Sequence, residues 1–267
     1  MPQSPPRRIA GENPRRLPRV TIWTDLAPTL LGVAILAAIT VAVLSAFRVA
    51  RSWEPLLAIV RGALQLAVIS VILSGIISDP LWIALALVVM FTIASAVATG
   101  RLGWSWRTGG LTAAAMATGI LTATLFVFGT HALEFTPRYA LAIGAIIIGN
   151  SMSIATLTGR DLVAVIDDHW DEVEGWLSLG ATPRQSTIML ARRAVREALI
   201  PSIDQTKTTG LVVLPGAFVG AIFGGISPLE AGRFQIVVLA AILAAGSITS
   251  VLVAHFLGDV RTRPMRR

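Results

Sequence analysis

The sequence predicts an all-α, polytopic membrane protein with about seven transmembrane helices. Of its 267 residues, 54% are hydrophobic and only 14% are charged, whereas a soluble domain has about 25% charged residues. The mean hydropathy is +0.74, and the apolar residues occur in long unbroken runs, a pattern typical of bilayer spans. The chain has no cysteine, which excludes disulfides, thiolate metal ligands and a cysteine nucleophile.

Seven apolar runs are close to the ~20 residues that cross a bilayer as a helix. The first run is not expected to be a signal peptide, because it begins too far from the N-terminus and lacks a small-residue cleavage site. The sixth is short as written, and a start at Ile203 is the alternative. The predicted spans are Pro28–Phe47, Leu56–Ile77, Leu81–Thr99, Gly109–Phe128, Tyr139–Leu157, Thr208–Phe223 and Phe234–Leu257.

Basic tails flank a transmembrane domain predicted over residues 24–260. Residues 1–20 are rich in proline and arginine and lack an apolar stripe, which predicts a disordered tail. Residues 261–267 form a shorter basic tail. The net charge of +7 comes from arginines between the apolar runs, so it indicates orientation in an anionic membrane and not a nucleic-acid partner.

One connection between spans is long, at about residues 160–200. It is acidic first and basic later, and it is the only soluble element large enough to bind a partner protein. A turn at residues 180–183 separates two predicted helices. The arginine distribution places this loop in the cytoplasm and the N-terminal tail outside, with an even number of spans as the alternative. Five apolar positions are expected on one face of a surface helix: Val165, Ile166, Val173, Leu177 and Leu179.

This loop contains the segment Glu174-Gly-Trp-Leu-Ser-Leu-Gly180-Ala-Thr-Pro-Arg-Gln185. It resembles the EAA loop of ABC-transporter permeases, in which a glutamate precedes a glycine by six positions. The match departs at Gly175 and Trp176, where small alanines are usual. The resemblance implies a short coupling helix that docks on an ATPase subunit, and a solvated amphipathic helix is the alternative. The implied coupling residues are Glu172, Glu174, Gly180, Ala181, Thr182, Pro183, Arg184 and Gln185.

Further motifs lie on both sides of the loop. They are Ile146-Ile-Ile-Gly-Asn-Ser-Met152, Ile200-Pro-Ser-Ile-Asp-Gln205, Val213-Leu-Pro-Gly-Ala217 and Ser227-Pro-Leu-Glu-Ala-Gly-Arg-Phe-Gln235. Together they look like the FetB-type permease family, which is implicated in iron export and has plant relatives linked to aluminium tolerance. The resemblance runs from Arg61 to the last span. It implies a multi-pass permease of the cell membrane that exports an iron-like metal ion or a small solute. Some family members carry methionines after Leu-Pro-Gly, where this chain has Ala217, Phe218 and Val219.

The chain has no ATPase of its own. A phosphate-binding loop needs a glycine directly before its lysine, and Lys207, the only lysine, follows Thr206. The resemblance therefore implies a separate ABC ATPase that holds ATP and magnesium, in an assembly of two permeases and two ATPases. No cofactor is predicted on this chain.

Polar residues inside the apolar runs are candidates for the transport pathway. They are Arg61, Gln65, Asn150, Ser151, Ser153, Asp204 and Gln205, and the Leu-Pro-Gly motif adds Pro215 and Gly216. Several have a structural alternative: Arg61 reaches the headgroups, Asn150 and the serines bond between helices, and Asp204 begins the sixth span. His131 and Glu134 share an outer loop that a cation could touch, and Glu230 and Arg233 are expected to form a surface pair. Their spacing predicts no metal site.

Two other function classes fit less well. A stand-alone secondary transporter or channel should carry acidic residues deep in its spans, and the predicted spans have none there. An intramembrane enzyme needs paired catalytic groups within the spans, and His255 stands alone. No catalytic residue is predicted.

Overall fold

The computed structural model describes residues 22–76 and 79–264, and in these ranges it is all-helical, as predicted. The N-terminal tail, Ile77 and the last three residues of the C-terminal tail lie outside the described ranges. The helices within them are α1 (Ile22–Ala46), α2 (Glu54–Ile76), α3 (Pro80–Leu102), α4 (Trp106–Gly129), α5 (Pro137–Asp168), α6 (Trp170–Ser178), α7 (Pro183–Thr208), α8 (Gly216–Phe223) and α9 (Pro228–Leu257).

The chain divides into two compact units, Met1–Gly75 and Ile76–Arg267. The first contains α1 and nearly all of α2. These helices are joined by a tight turn in which Arg48 and Arg51 adopt positive φ angles. Arg51 forms an exposed ion pair with Glu54, at 3.2 Å, at the start of α2.

The second unit is a bundle in which α5 and α9 are central. Both pack against α4 and α7 and against each other, and α3 packs against α4 and α5. The core between them is apolar and includes the fully buried Met116, Ile143 and Ile147. A Cβ atom on Gly119 of α4 would collide with the backbone of Ala245 on α9. The glycine thus lets these two helices approach closely, as small residues do in membrane bundles.

Helix α5 continues well beyond its predicted span. It has 32 residues, so it is about 48 Å long, against a hydrocarbon core of about 30 Å. Its C-terminal end forms a second, smaller core with α6, α7 and α9. This core includes Leu162, Ile166, Val173, Leu190 and Ala254. The long loop predicted at residues 160–200 is therefore a packed helical element, built from the end of α5, from α6 and from most of α7.

Five helices in the described ranges are long and apolar enough to cross a membrane. They are Ala27–Ala46, Pro80–Leu102, Trp106–Gly129, Pro137–Asp168 and Pro228–Leu257. The run predicted at Leu56–Ile77 falls on α2, which is helical over its described part. A total of seven crossings remains a prediction.

The sixth predicted span, Thr208–Phe223, is wrong as a single helix. Helix α7 ends at Thr208, and α8 has only eight residues, about 12 Å of helix. Two residues end helical structure between them: Gly210 has a φ angle of +88°, and Pro215 has no N–H to donate. A start at Ile203 is also wrong, because that residue lies inside α7.

Candidate functional site

The candidate docking element consists of α6, the turn at residues 179–182 and the first turns of α7. Helix α6 ends in a Schellman motif, since the Gly180 N–H donates to the Leu177 carbonyl and the Ala181 N–H donates to the Trp176 carbonyl, both at 3.0 Å. Gly180 has a φ angle of +89°, a conformation that only glycine adopts without strain. The glycine predicted at this turn is therefore explained by backbone geometry.

Helix α7 begins with a capping box. The Thr182 N–H donates to Oε1 of Gln185 at 2.8 Å, and the Gln185 N–H donates to Oγ1 of Thr182 at 3.4 Å. Pro183 occupies the first helical position, where its missing N–H costs nothing. Together with Gly180, these residues fix the angle between α6 and α7.

The remaining predicted coupling residues lie around this turn. Glu172 is in the first turn of α6, where its charge is favourable near the helix N-terminus. Ala181 is half-buried in the turn. Glu174 and Arg184 are exposed, and among the described ion pairs neither is a member. They are free to meet charges on a partner.

Large apolar side chains are exposed on the same element, outside the predicted spans. Trp176 is 51% exposed and Leu179 is 82% exposed, and Ile188 and Met189 in α7 are also exposed. We call these four residues, with Glu174 and Arg184, the α6–α7 surface. The prediction that Leu179 shares a face with Val173 is wrong. Helix α5 ends at Asp168 and α6 at Ser178, so no single helical face runs through residues 165–179.

Two long-range contacts tie this element to the membrane bundle. The Thr187 hydroxyl donates to the carbonyl oxygen of Gly258 at 2.7 Å, which joins α7 to the end of α9. The Arg263 Nε donates to the Asp167 carboxylate at 2.7 Å, which joins the C-terminal segment to the end of α5. That hydrogen bond raises the pKa of Arg263.

The candidate pathway residues of α5 differ in their contacts. The Asn150 side-chain amide donates to the Ile146 carbonyl at 2.9 Å, and the Ser153 hydroxyl donates to the Gly149 carbonyl at 3.2 Å. Both groups are therefore satisfied within their own helix. Ser151 is fully buried, and its hydroxyl has no hydrogen-bond partner among the described residues.

The other candidates fall in two further regions. Arg61 and Gln65 are exposed side chains of α2, in the first compact unit. Asp204 and Gln205 lie in the last turns of α7, so the prediction that they begin a span is wrong. Asp204 forms an exposed ion pair with Lys207 at 3.6 Å, and the Gln205 carbonyl accepts the Thr209 N–H at 3.0 Å, which closes the helix end.

Pro215 and Gly216 lie where the chain re-enters helical structure after the break. Pro215 is the N-cap of α8, and Gly216 is its first residue. A cavity of about 220 Å³ lies between this segment and α9, with Thr209, Pro215 and Gln235 in its wall. Such a break inside a membrane is tolerated where the backbone borders a cavity.

Gln235 is a polar residue of this cavity that the sequence did not single out as a site. Its side chain is 5% exposed, and its Oε1 atom has no hydrogen-bond partner among the described residues. An unpaired buried amide oxygen is costly, so a water molecule or a solute in the cavity is a natural donor to it. The sequence signal that could have identified Gln235 is its position: it is the polar residue at the end of the Ser227–Gln235 motif, directly before an apolar run.

A second polar cavity, of about 320 Å³, lies between the α4–α5 loop and the start of α9. His131, Glu134, Glu230 and Arg233 line it. The expected Glu230–Arg233 pair is wrong, because no contact between them is among the described ion pairs, and Glu230 instead accepts the Ser227 hydroxyl at 3.1 Å. Within the described residues, no group of three acidic, histidine or cysteine side chains is arranged to hold a metal ion.

These features define a multi-pass helical membrane protein with a packed helical element outside its candidate spans. The chain belongs to the family described as "Uncharacterised protein family (UPF0014)", whose model matches residues 27–259. The FetB-type resemblance predicted from the sequence is confirmed by its relatives, and their names fit a membrane transport protein and not an enzyme.

Three relatives illustrate the family. The chain is 36% identical to "UPF0014 membrane protein STAR2" of Oryza sativa subsp. japonica over 235 residues, covering 86% of this chain and 82% of the relative. It is 35% identical to "Protein ALUMINUM SENSITIVE 3" of Arabidopsis thaliana, covering 74% and 73%. It is 37% identical to "Probable iron export permease protein FetB" of Escherichia coli (strain K12), covering 51% and 52%. No solved structure matches the chain.

Proposed function

We propose that this chain is the membrane-spanning permease subunit of an ABC transporter, with about seven spans in the cell membrane. The observation that carries the proposal is the α6–α7 surface. It presents exposed Trp176 and Leu179 beside unpaired Glu174 and Arg184 on a packed element outside the predicted spans. A tryptophan with nearby charges is the usual composition of an interface hot spot.

The proposed partner is an ABC ATPase that binds this surface and holds ATP and magnesium. The Schellman motif and the capping box support this role because they hold the two helices at one angle. A rigid docking element loses little entropy on binding. By the same family resemblance, the assembly contains two permeases and two ATPases.

The route of coupling follows the helices that leave the element. Helix α5 runs from it into the bundle without a break, and α7 leads from it to the break beside Gln235. Movement of α6 on ATP binding would reach both Ser151 on α5 and the cavity at Gln235. We propose that these two groups, with Pro215 and Gly216, border the transport pathway.

The proposed substrate is an iron-like metal ion or a small solute, moved outward. This follows from the printed name of the Escherichia coli relative. A cation that leaves on that side would pass the polar cavity at Glu134 and Glu230 last. Carboxylate oxygens suit such an ion in transit.

The alternative is a stand-alone secondary transporter or channel. Coupling to protons or sodium needs acidic groups inside the spans. In the five candidate spans of the described ranges, acidic residues occur only near the ends, at Asp161, Asp167, Asp168 and Glu230. This distribution favours a transporter driven by a partner's ATP hydrolysis.

Co-purification tests the proposal. The tagged chain is expressed with the ABC ATPase encoded beside it and extracted in mild detergent. We expect the ATPase to be retained by the wild type and lost with Gly180→Arg and with Glu174→Arg. The second variant leaves the turn intact, because Glu174 is exposed in mid-helix.

Gly225→Arg is the matched control. Gly225 also has a φ angle of +89° and open space around its Cα, so the strain is the same but the α6–α7 surface is untouched. Retention of the ATPase by this variant is expected. If the wild type binds no ATPase, the docking proposal is wrong and the secondary-transporter alternative takes its place.

A further inference from the structure

A large polar cavity lies where α3 ends and α4 begins. Its volume is about 700 Å³, and the stretch of α5 from Gly159 to Ala164 forms its opposite wall. Arg101 of α3 and Arg160 of α5 both line it, and none of the described lining residues is acidic. It is independent of the proposed docking surface and of the cavity at Gln235.

The two arginines have no counter-charge on the described part of the chain. Arg51 and Arg263 each pair with a carboxylate, whereas no described ion pair includes Arg101 or Arg160. Two cations that border one cavity repel each other. An anion placed between them would remove that repulsion.

Close approach of α5 to α3 brings these charges to one cavity. A Cβ atom on Gly159 would collide with the Leu102 side chain. Because Gly159 and Leu102 directly adjoin Arg160 and Arg101 in sequence, this helix contact lies beside both arginines, which line the same cavity. The N-terminus of α4 is already capped, since the Thr108 N–H donates to Ser105 Oγ at 3.0 Å. The arginines are therefore the main groups available to an anion.

The cavity lies at a membrane boundary. The α3 span ends at Leu102 and the α4 span begins at Trp106. Trp104 and Trp106 are 64% and 90% exposed, and tryptophan prefers the headgroup level of a bilayer. The cavity wall also includes apolar groups, among them Leu102, Trp104 and Val163.

We infer that this cavity binds the phosphate headgroup of an anionic phospholipid. Arg101 and Arg160 hold the phosphate, and the apolar wall contacts the glycerol and the first acyl carbons. Basic pockets between membrane helices take such headgroups. A lipid suits the site better than free phosphate, because apolar surface lies beside the charges and the site opens at the bilayer surface.

Lipid binding to the purified full chain tests the inference. Native mass spectrometry in detergent compares phosphatidylglycerol with phosphatidylcholine. We expect the wild type to prefer phosphatidylglycerol. Arg101→Gln and Arg160→Gln should each weaken its binding by roughly fivefold, the effect of removing one cation near an anionic lipid.

Arg107→Gln is the matched control. Arg107 is exposed in the first turn of α4 but does not line the cavity, so the same charge is lost nearby. A thermal unfolding curve without added lipid establishes that each variant is folded.

Three results would overturn the inference. Equal binding of the two lipids would show that the cavity does not recognise the headgroup charge. An equal loss with Arg107→Gln would show that general surface charge, not the cavity, attracts the lipid. If millimolar inorganic phosphate displaced the lipid and the protein no longer preferred phosphatidylglycerol, the cavity would be a free-phosphate site instead.

Discussion

The hydroxyl of Thr187 on α7 donates a 2.7 Å hydrogen bond to the carbonyl oxygen of Gly258, the residue that ends α9. The bond is buried and joins residues 71 positions apart in sequence. It connects the candidate docking element to α9, which packs against α4, α5, α7 and α8.

Removing this bond should loosen the docking element. Thr187→Val keeps the side-chain volume but removes this hydrogen bond, at a cost of about 0.5–1.5 kcal/mol, while the Val260 N–H still donates to the Gly258 carbonyl at 3.0 Å. We expect a lower melting temperature in detergent. Ser186→Ala is the control, because Ser186 bonds only to the nearby Pro183 carbonyl. An equal effect of the two substitutions would argue against a special role for the link to α9.

Two glycines of the docking element should respond to alanine in opposite directions. Gly180→Ala places a Cβ at a φ angle of +89°, which costs roughly 1 kcal/mol or more. Gly175→Ala lies inside α6 with open space around it and should stabilise the helix by up to about 1 kcal/mol. Hydrogen exchange of the α6 amides measures both effects. The same direction for both variants would contradict the turn geometry.

Gln235→Leu separates stability from transport. Replacing an unpaired buried amide with an apolar side chain of similar size should leave the melting temperature unchanged or raise it. If the cavity borders the pathway, ATP-driven movement of ferrous ion in proteoliposomes should fall at least tenfold. Gln205→Leu, at the exposed end of α7, is the comparison. Normal transport by Gln235→Leu would remove this residue from the pathway.

The crossing of α4 and α9 depends on Gly119. A Cβ at this position meets the Ala245 backbone, which cannot move aside as a flexible side chain would. We expect Gly119→Ala to destabilise the bundle by about 1–3 kcal/mol through overpacking. Gly110→Ala, in the same helix with nothing nearby, should be tolerated. Similar melting temperatures for the two variants would show that α4 can shift to accommodate the methyl group.

The sequence was most informative where local chemistry decides the structure. The turn at residues 180–183 and the start of the helix after it are set by neighbouring residues, so the local sequence was enough to predict them. Apolar runs likewise located the spans of α1, α3, α4, α5 and α9.

It failed where the outcome depends on helix breaks and packing. The run from Thr208 to Phe223 is apolar throughout its length, and hydropathy does not distinguish a continuous helix from a loop followed by eight helical residues. The face assigned to Leu179 assumed one continuous helix through His169. The sequence marks Gln235 only as the last residue of its motif, and its burial beside a cavity depends on how the Thr209–Pro215 segment folds against α9.

The unbroken length of α5 has a mechanical consequence. About 18 Å of this helix extends beyond the ~30 Å hydrocarbon core if the rest spans it. If α5 tilted by about 10° about the point where it leaves the membrane, its docking end would then move by about 3 Å. The length of the projecting part follows from the helical rise of 1.5 Å per residue. Helix α5 thus acts as a lever, and small changes in its angle inside the bilayer correspond to displacements of side-chain size at the α6–α7 surface.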